Sequence, residues 1–348
     1  MERLKEKIEA LRQQGNIPAL GAAILNSQKV MAIAVAGNRR ADCDTPAATD
    51  DLFHIGSCTK AMTATLMARL VDAGKLRWNQ TIGETFSDLR TTMHEAYYSV
   101  TLEQLLYHRG GLPEDREPDM GLQARLWALK GDRRVARRRA IALVLERPPA
   151  TPPGSKMLYS NFGYMVAGAM AEQATGKSWE ELMRLWLFEP LRMQRVGFGA
   201  PGSTGERPDQ PRGHLGSSCT PVEPGTLFAD NPPVLGPAGT VHCSLRDWAR
   251  FVRLHLQLAR GKASVLLKAE TAAKLHADPY KQGYAMGWGV AQPEWAKGTL
   301  LIHAGSNSMW YAIAAVAPGL DRAWLIVANC GSEQARNACE QLLRRLTR

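Results

Sequence analysis

The chain has 348 residues, 45% of them apolar and 22% charged, a balance that excludes a disordered polymer and exceeds what one small core usually holds. Forty-three Lys and Arg stand against 33 Asp and Glu, a net charge of +10. No basic stripe interleaved with aromatics and no nucleic-acid module accompanies that excess, so nucleic acid is not an expected partner. The N-terminus, Met-Glu-Arg-Leu-Lys-Glu-Lys-Ile, is charged. The chain as written shows no signal peptide and no apolar run long enough to span a bilayer, which leaves its compartment open.

In chain order, Leu4, Ile8 and Leu11 fall at helical spacing, and Pro18 ends that helix. Residues 19–26 and 30–36 read as two apolar strands around a polar turn at 27–29. Phe53–Ile55 leads into Gly56-Ser57, and residues 57–73 form a helix stopped by Gly74. It is apolar nearly all round and therefore belongs in the core. From 76 to 235 β-branched runs are few, and helical stretches at 101–107, 122–130, 134–146, 162–175 and 178–188 are joined by Pro- and Gly-rich loops. Segment 199–236 reads as irregular. Beyond Gly239, Ser244 caps a helix to Leu258. Runs 284–291, 299–303, 309–317 and 323–329 read as strands, and 332–346 as a closing helix. The expected fold is α/β (α+β): one antiparallel sheet assembled from both chain ends and flanked by helices, plus a mostly helical lobe. The corresponding units are 1–75 with 236–348, and 76–235.

Several signals carry no chemistry. Gly197-Phe198-Gly199-Ala200-Pro201-Gly202 matches a dinucleotide fingerprint on paper but runs into a Pro-rich loop where a helix is required. No Gly-x-Ser-x-Gly, His-Glu-x-x-His or P-loop occurs. The cysteines Cys43, Cys58, Cys219, Cys243, Cys330 and Cys339 have neither C-x-x-C nor zinc-ligand spacing. They read as scattered thiols of a reducing compartment, and spacing alone leaves one or two disulfides open. Arg133, Arg134, Arg137, Arg138 and Arg139 read as the wet face of a helix whose other face carries Ile141 and Leu145. Tyr97, Tyr98, Tyr107 and His108 read as packing residues.

Three short patterns do carry chemistry. Ser57-Cys58-Thr59-Lys60 places a hydroxyl and an amine at i and i+3 on one helix face. An adjacent amine of lowered pKa can help remove the serine proton, and helix N-terminal N–H groups favour an oxyanion forming there. Tyr159-Ser160-Asn161 opens a helix after Pro152-Pro153-Gly154. A tyrosine beside a cationic lysine can accept the serine proton, and the asparagine can hold both the lysine and a substrate carbonyl. His303-Ala304-Gly305 closes an apolar strand, where glycine lets a substrate backbone lie close. Taken singly, each has a plain structural explanation: a capping serine with a solvated lysine, a core tyrosine, a strand-end histidine.

Together and in this order, the three patterns resemble those of the penicillin-recognising serine hydrolases. The likeness is greatest to the branch of class C β-lactamases, D-Ala-D-Ala carboxypeptidases and family VIII esterases. Segments 105–113 (LLYHRGGLP), 152–183, 236–251 and 325–331 (LIVANCG) match that branch in order. The resemblance implies a site in the groove between the two units. There Ser57 attacks the carbonyl, and Tyr159, tuned by Lys60, takes the proton and later activates water. Asn161 orients Lys60 and the acyl group. The N–H groups of Ser57 and of Ser306, just after His303 and Gly305, form the oxyanion hole. No metal or organic cofactor is implied.

Three departures bear on substrate. His303 stands where many relatives place Lys, which weakens carboxylate binding. Met309-Trp310 stand where Gly-Phe is usual, and their bulk is expected to narrow the acyl pocket. Asn329 stands where relatives often keep an asparagine near the substrate carboxylate. The balance points to short esters, amides or D-residue peptides as small-molecule substrates. The alternatives are a class C-like β-lactamase, a D-Ala-D-Ala carboxypeptidase, an acyltransferase, or a non-catalytic sensor. Cys58 is expected to point away from the Ser57/Lys60 face. Nothing in the sequence speaks to oligomeric state.

Overall fold

The strand Tyr311–Ala317 is buried at every position, and so is nearly all of Arg322–Ala328. A run of that kind is stable only in a sheet covered on both faces, because successive side chains point to opposite sides. The computed structural model, which describes residues 2–114 and 120–348, shows that sheet. Its order is Val30–Gly37, Ala19–Leu25, Arg322–Ala328, Tyr311–Ala317, Leu300–Ser306, Gly289–Ala291, antiparallel throughout. Two N-terminal and four C-terminal strands thus share one sheet, as the sequence pattern predicts.

Alternation assigns the faces. Ile313, Ala315, Trp324 and Ile326 pack with Leu4, Ile8 and Leu11 of the helix Glu2–Gln14 and with Leu342 of the closing helix Glu333–Thr347. Ala312, Ala314, Leu325 and Val327 face the other way, in one cluster with Leu245, Trp248 and Val252 of the helix Leu245–Ala259. Ser244 caps that helix by accepting the Asp247 N–H at 3.2 Å. The helix Thr59–Asp72 is buried at 11 of its 14 positions, consistent with its apolar circumference. It lies against the turn Gly236–Gly239 and the helix Asn161–Thr175 of the helical lobe.

Three local readings need correction. Ser57 does not open the α-helix but sits on a separate 3₁₀ turn, Gly56–Cys58, with the helix starting at Thr59. Gly56 adopts φ +50 there, a left-handed conformation that interrupts continuous α-helix. Segment 199–236 is not wholly irregular, since Gly213–Leu215 and Thr220–Val222 pair as a hairpin. The fingerprint-like glycine run begins on a strand, Val196–Phe198, which pairs with Val241–Ser244. A Cβ on Gly197 would lie 2.5 Å from the His242 ring, so that glycine makes room for a side chain.

The arginine run is the fourth correction. Arg137 is not on the wet face of its helix, Arg133–Leu145, but fully buried. Its guanidinium donates to Glu172, to Glu180 at 2.8 Å and to the Val234 carbonyl at 3.1 Å. A buried guanidinium persists only where several acceptors replace water, and here two carboxylates converge on it. Burial raises the Glu172 carboxyl to about 7, with Arg137 opposing the rise. Arg137→Met is expected to destabilise the fold by about 3 kcal/mol or more, because it strands the two carboxylates. A carboxyl that prefers its proton in the folded state loses stability as pH rises from the ordinary 4.5 through about 7. The loss should therefore be larger at pH 8 than at pH 5 in urea denaturation; equal losses would show that Glu172 is not the group left stranded.

Candidate active site

Lys60 is the best-connected side chain of the predicted set. Its residue is fully buried, and Nζ reaches Ser57 Oγ at 3.1 Å, the Ala238 carbonyl at 2.8 Å and Asn161 Oδ1. An amine with three such acceptors around it is held in one orientation. The same nitrogen lies 4.8 Å from the centroid of the Tyr159 ring and 5.6 Å from that of Tyr164. The structure thus brings Ser57, Lys60, Tyr159 and Asn161 together from a 3₁₀ turn, a core helix and the start of a second helix.

The strand Leu300–Ser306 supplies the opposite wall. Its neighbour Gly289–Ala291 pairs only with Leu300–Ile302, so the edge from His303 onward lies beyond that ladder. This edge comes against the serine turn. A Cβ on Gly305 would stand 2.1 Å from the Ile55 carbonyl and 2.7 Å from Ser57 N, and one on Gly56 would stand 2.4 Å from Ser306 N. No side chain fits at either position. The two glycines let the backbones carrying the Ser57 and Ser306 N–H groups meet.

His303 donates from Nδ1 to the Gly287 carbonyl at 2.7 Å, because a carbonyl can only accept. Burial, with the Lys60 charge adding to it, pushes its pKa down to about 4. Neutral at ordinary pH, the ring keeps an acceptor lone pair on Nε2 and carries no charge toward a substrate carboxylate. Ser57, Tyr159, Asn161, His303, Gly305 and Ser306 all line one cavity of about 800 Å³.

Sequence reasoning missed several of its residues. His54 accepts the Gly56 N–H on Nδ1 at 3.1 Å and so carries its proton on Nε2, which donates to Asp230 at 3.0 Å. Asp230 also receives Asn307 Nδ2 at 2.8 Å. This chain of bonds ties the turn before Ser57 to the turn after Ser306. The Phe-His-Ile-Gly-Ser run adjoining the serine was the one signal in the sequence for His54. His108 keeps the packing role read for it, buried between the Tyr159 and Tyr284 rings, with centroids at 4.2 and 4.9 Å. Its Nε2 lies 3.1 Å from the Tyr284 hydroxyl. Arg336, on the closing helix, lines the cavity 5.6 Å from the centroid of Tyr311 and brings a cation that no motif announced.

Two expectations about substrate fail. Met309 and Trp310 are buried beneath the cavity and do not line it; the Trp310 ring packs edge-on to Phe53 at 6.1 Å. Asn329 is also buried away from the cavity, accepting the Ala19 N–H at 2.7 Å and so joining two strand ends. The Cys58 thiol donates to the His303 carbonyl at 3.5 Å, and burial pushes its pKa up to about 12, which leaves it unreactive.

The antiparallel sheet, the helical lobe and a Ser-x-x-Lys turn facing a strand edge are the fold and motif arrangement of the penicillin-recognising serine hydrolase superfamily. The chain belongs to the Beta-lactamase family, whose model matches residues 4–347. Penicillin-binding protein 4 of Amycolatopsis lactamdurans is 26% identical over 94% of this chain and 84% of its own length. Unguisins hydrolase ungD' of Aspergillus campestris is 27% identical over 70% of this chain, a match spanning 46% of that relative. Among solved structures, the octameric penicillin-binding protein homologue from Pyrococcus abyssi superposes with a TM-score of 0.77 at 20% identity, covering 99% of this chain and 77% of that one.

Because both glycines are needed for contact, Gly305→Ala should push the strand edge off the serine turn. We expect about a 100-fold loss of kcat on an activated ester with circular dichroism unchanged, the usual scale for a lost oxyanion donor. Unaltered turnover would show that the Ser57 and Ser306 N–H groups do not act together.

Proposed function

We propose that this chain is a serine hydrolase that forms an acyl-enzyme on Ser57 and acts on short esters, amides or D-residue peptides. The observation that carries this reading is a fully buried lysine nitrogen held 3.1 Å from a serine hydroxyl in the wall of an open cavity. Ser57 Oγ attacks the carbonyl carbon, and Tyr159, beside the Lys60 charge, takes the proton. The carbonyl oxygen becomes an oxyanion between the N–H groups of Ser57 and Ser306. Tyr159 returns the proton to the leaving group, and a water activated by the same phenolate then hydrolyses the ester to Ser57. Asn161 keeps Lys60 in place through its side-chain oxygen.

Substrate charge falls to Arg336, since His303 offers a lone pair and no cation. This supports substrates that end in a carboxylate, such as a peptide C-terminus. The same feature supports a second reading, a class C-like β-lactamase. The bulk once expected to exclude β-lactams lies under the cavity, and a cation is available for their carboxylate. The hydrolase named for unguisins and the penicillin-binding protein among the relatives are compatible with either reading.

The test is hydrolysis of a short-chain p-nitrophenyl ester, a chromogenic cephalosporin and a D-Ala-D-Ala peptide by wild type, Ser57→Ala and Arg336→Ala. Turnover is expected to vanish in Ser57→Ala; activity surviving there would remove the acyl-enzyme from consideration. Cephalosporin cleavage outrunning that of the other two would move the lactamase reading to the front. Arg336→Ala should raise KM about 10-fold for the carboxylate-bearing substrates and leave the neutral ester unchanged, as losing one charge-assisted contact does. Equal effects on all three would show that Arg336 does not read charge.

A further inference from the structure

Two of the six cysteines meet, far from each other in sequence and outside the catalytic constellation. Cys330 follows the strand Arg322–Ala328 and Asn329, and Cys219 sits in the hairpin between Gly213–Leu215 and Thr220–Val222. Their Sγ atoms are 2.7 Å apart, and both residues are buried. Among the described residues no other two thiols are in contact.

The pairing does not depend on the sulfurs alone. His214 of the hairpin donates its N–H to the Met309 carbonyl at 3.0 Å, its ring Nδ1 donates to the Asn329 carbonyl at 2.6 Å, and its own carbonyl accepts the Gly331 N–H at 3.3 Å. These bonds seat the hairpin against the strand end whatever the oxidation state. The proton is unequally shared. Either sulfur can donate in this contact, which lowers the Cys330 pKa, with Ser332 assisting, and raises that of Cys219. Cys330 is therefore the nucleophilic member and Cys219 the resolving one.

We infer that Cys219 and Cys330 are a reversible oxidation site, closing to a disulfide when the folded protein meets a peroxide. In the first step the Cys330 thiolate attacks one peroxide oxygen, the O–O bond breaks, and Cys330 sulfenic acid and hydroxide form. In the second step the Cys219 sulfur attacks the Cys330 sulfur, the S–S bond forms, the S–O bond breaks, and the departing hydroxide leaves as water with the Cys219 proton. Two thiols give up two electrons, and one hydrogen peroxide becomes two waters. The bond would clip the hairpin to the strand end from which the Arg336-bearing helix starts. It would also close a loop between residues 111 positions apart, long enough to restrict the unfolded chain strongly.

The test treats the folded, fully reduced protein with a small excess of hydrogen peroxide, with and without sub-denaturing urea to let the hairpin breathe. The protein is then alkylated under denaturing conditions, its thiols are counted, and its non-reduced peptides are mapped by mass. The expected result is a fall from six thiols to four, a Cys219–Cys330 cross-linked peptide, full reversal by dithiothreitol, and a Tm higher by roughly 3 °C or more in the oxidised form. Cys219→Ala should abolish the cross-link and leave Cys330 to oxidise to sulfinic acid; Cys330→Ala should abolish the cross-link and leave Cys219 reduced. Six titratable thiols in the wild type under both conditions would overturn the proposal. A bridge between another pair, or the same thiol loss in wild type and Cys219→Ala, would overturn it equally.

Discussion

An amine has been buried completely at Lys60, and removing a charged group of that size from water costs several kcal/mol unless protein acceptors replace the water. The acceptors come from three places. Ser57 is one turn back along the same segment, Asn161 opens a helix of the other lobe, and the Ala238 carbonyl ends the turn Gly236–Gly239. These contacts draw on the core helix, the helical lobe and that turn together. The catalytic geometry and the docking of the lobe are in this sense one interaction. The nearby rings respond to it: burial first, and then the Lys60 charge, drives both His108 and His303 toward the neutral form.

Backbone contact completes what Lys60 begins. Gly56 and Gly305 let the serine turn and the strand edge touch. Gly287, at φ +81, does the same one layer further in, where a Cβ would stand 2.5 Å from Ala61 Cα. Its carbonyl then receives the His303 ring, so this close approach also sets which nitrogen of His303 remains an acceptor. The His54–Asp230–Asn307 chain ties the two sides along the cavity wall, which Asp230 and Asn307 line. A site assembled this way is stiff where bonds are made and broken. The cavity beside it also reaches Trp127, Glu114 and Arg336.

Much of this was legible in the chain. Period-two alternation and continuous apolar runs placed six strands, and their position at both ends implied a single sheet. An apolar circumference put the helix after Ser57 in the core. The spacing of Ser57 and Lys60 put hydroxyl and amine on one face, and the order of the three motifs supplied the family and the remaining candidates. Much of what went astray was partner-dependent. Arg137 looks solvated in a run of five arginines, because nothing local says that Glu172 and Glu180 will meet it. Met309 and Trp310 look like pocket lining, because the resemblance puts them where Gly-Phe is usual without saying which way their side chains turn.

The sequence by itself determined periodicity, helix and strand identity, and the chemistry available at each motif, because these depend on neighbours a few residues away. Tertiary structure alone decided which cation lines the cavity, which histidine nitrogen is free to accept, and which two thiols touch. The His54–Asp230 bond and the Cys219–Cys330 contact join segments more than a hundred residues apart, and their relation is set by how lobes and loops pack. Packing is a many-body property of the folded chain, and no window of sequence contains it.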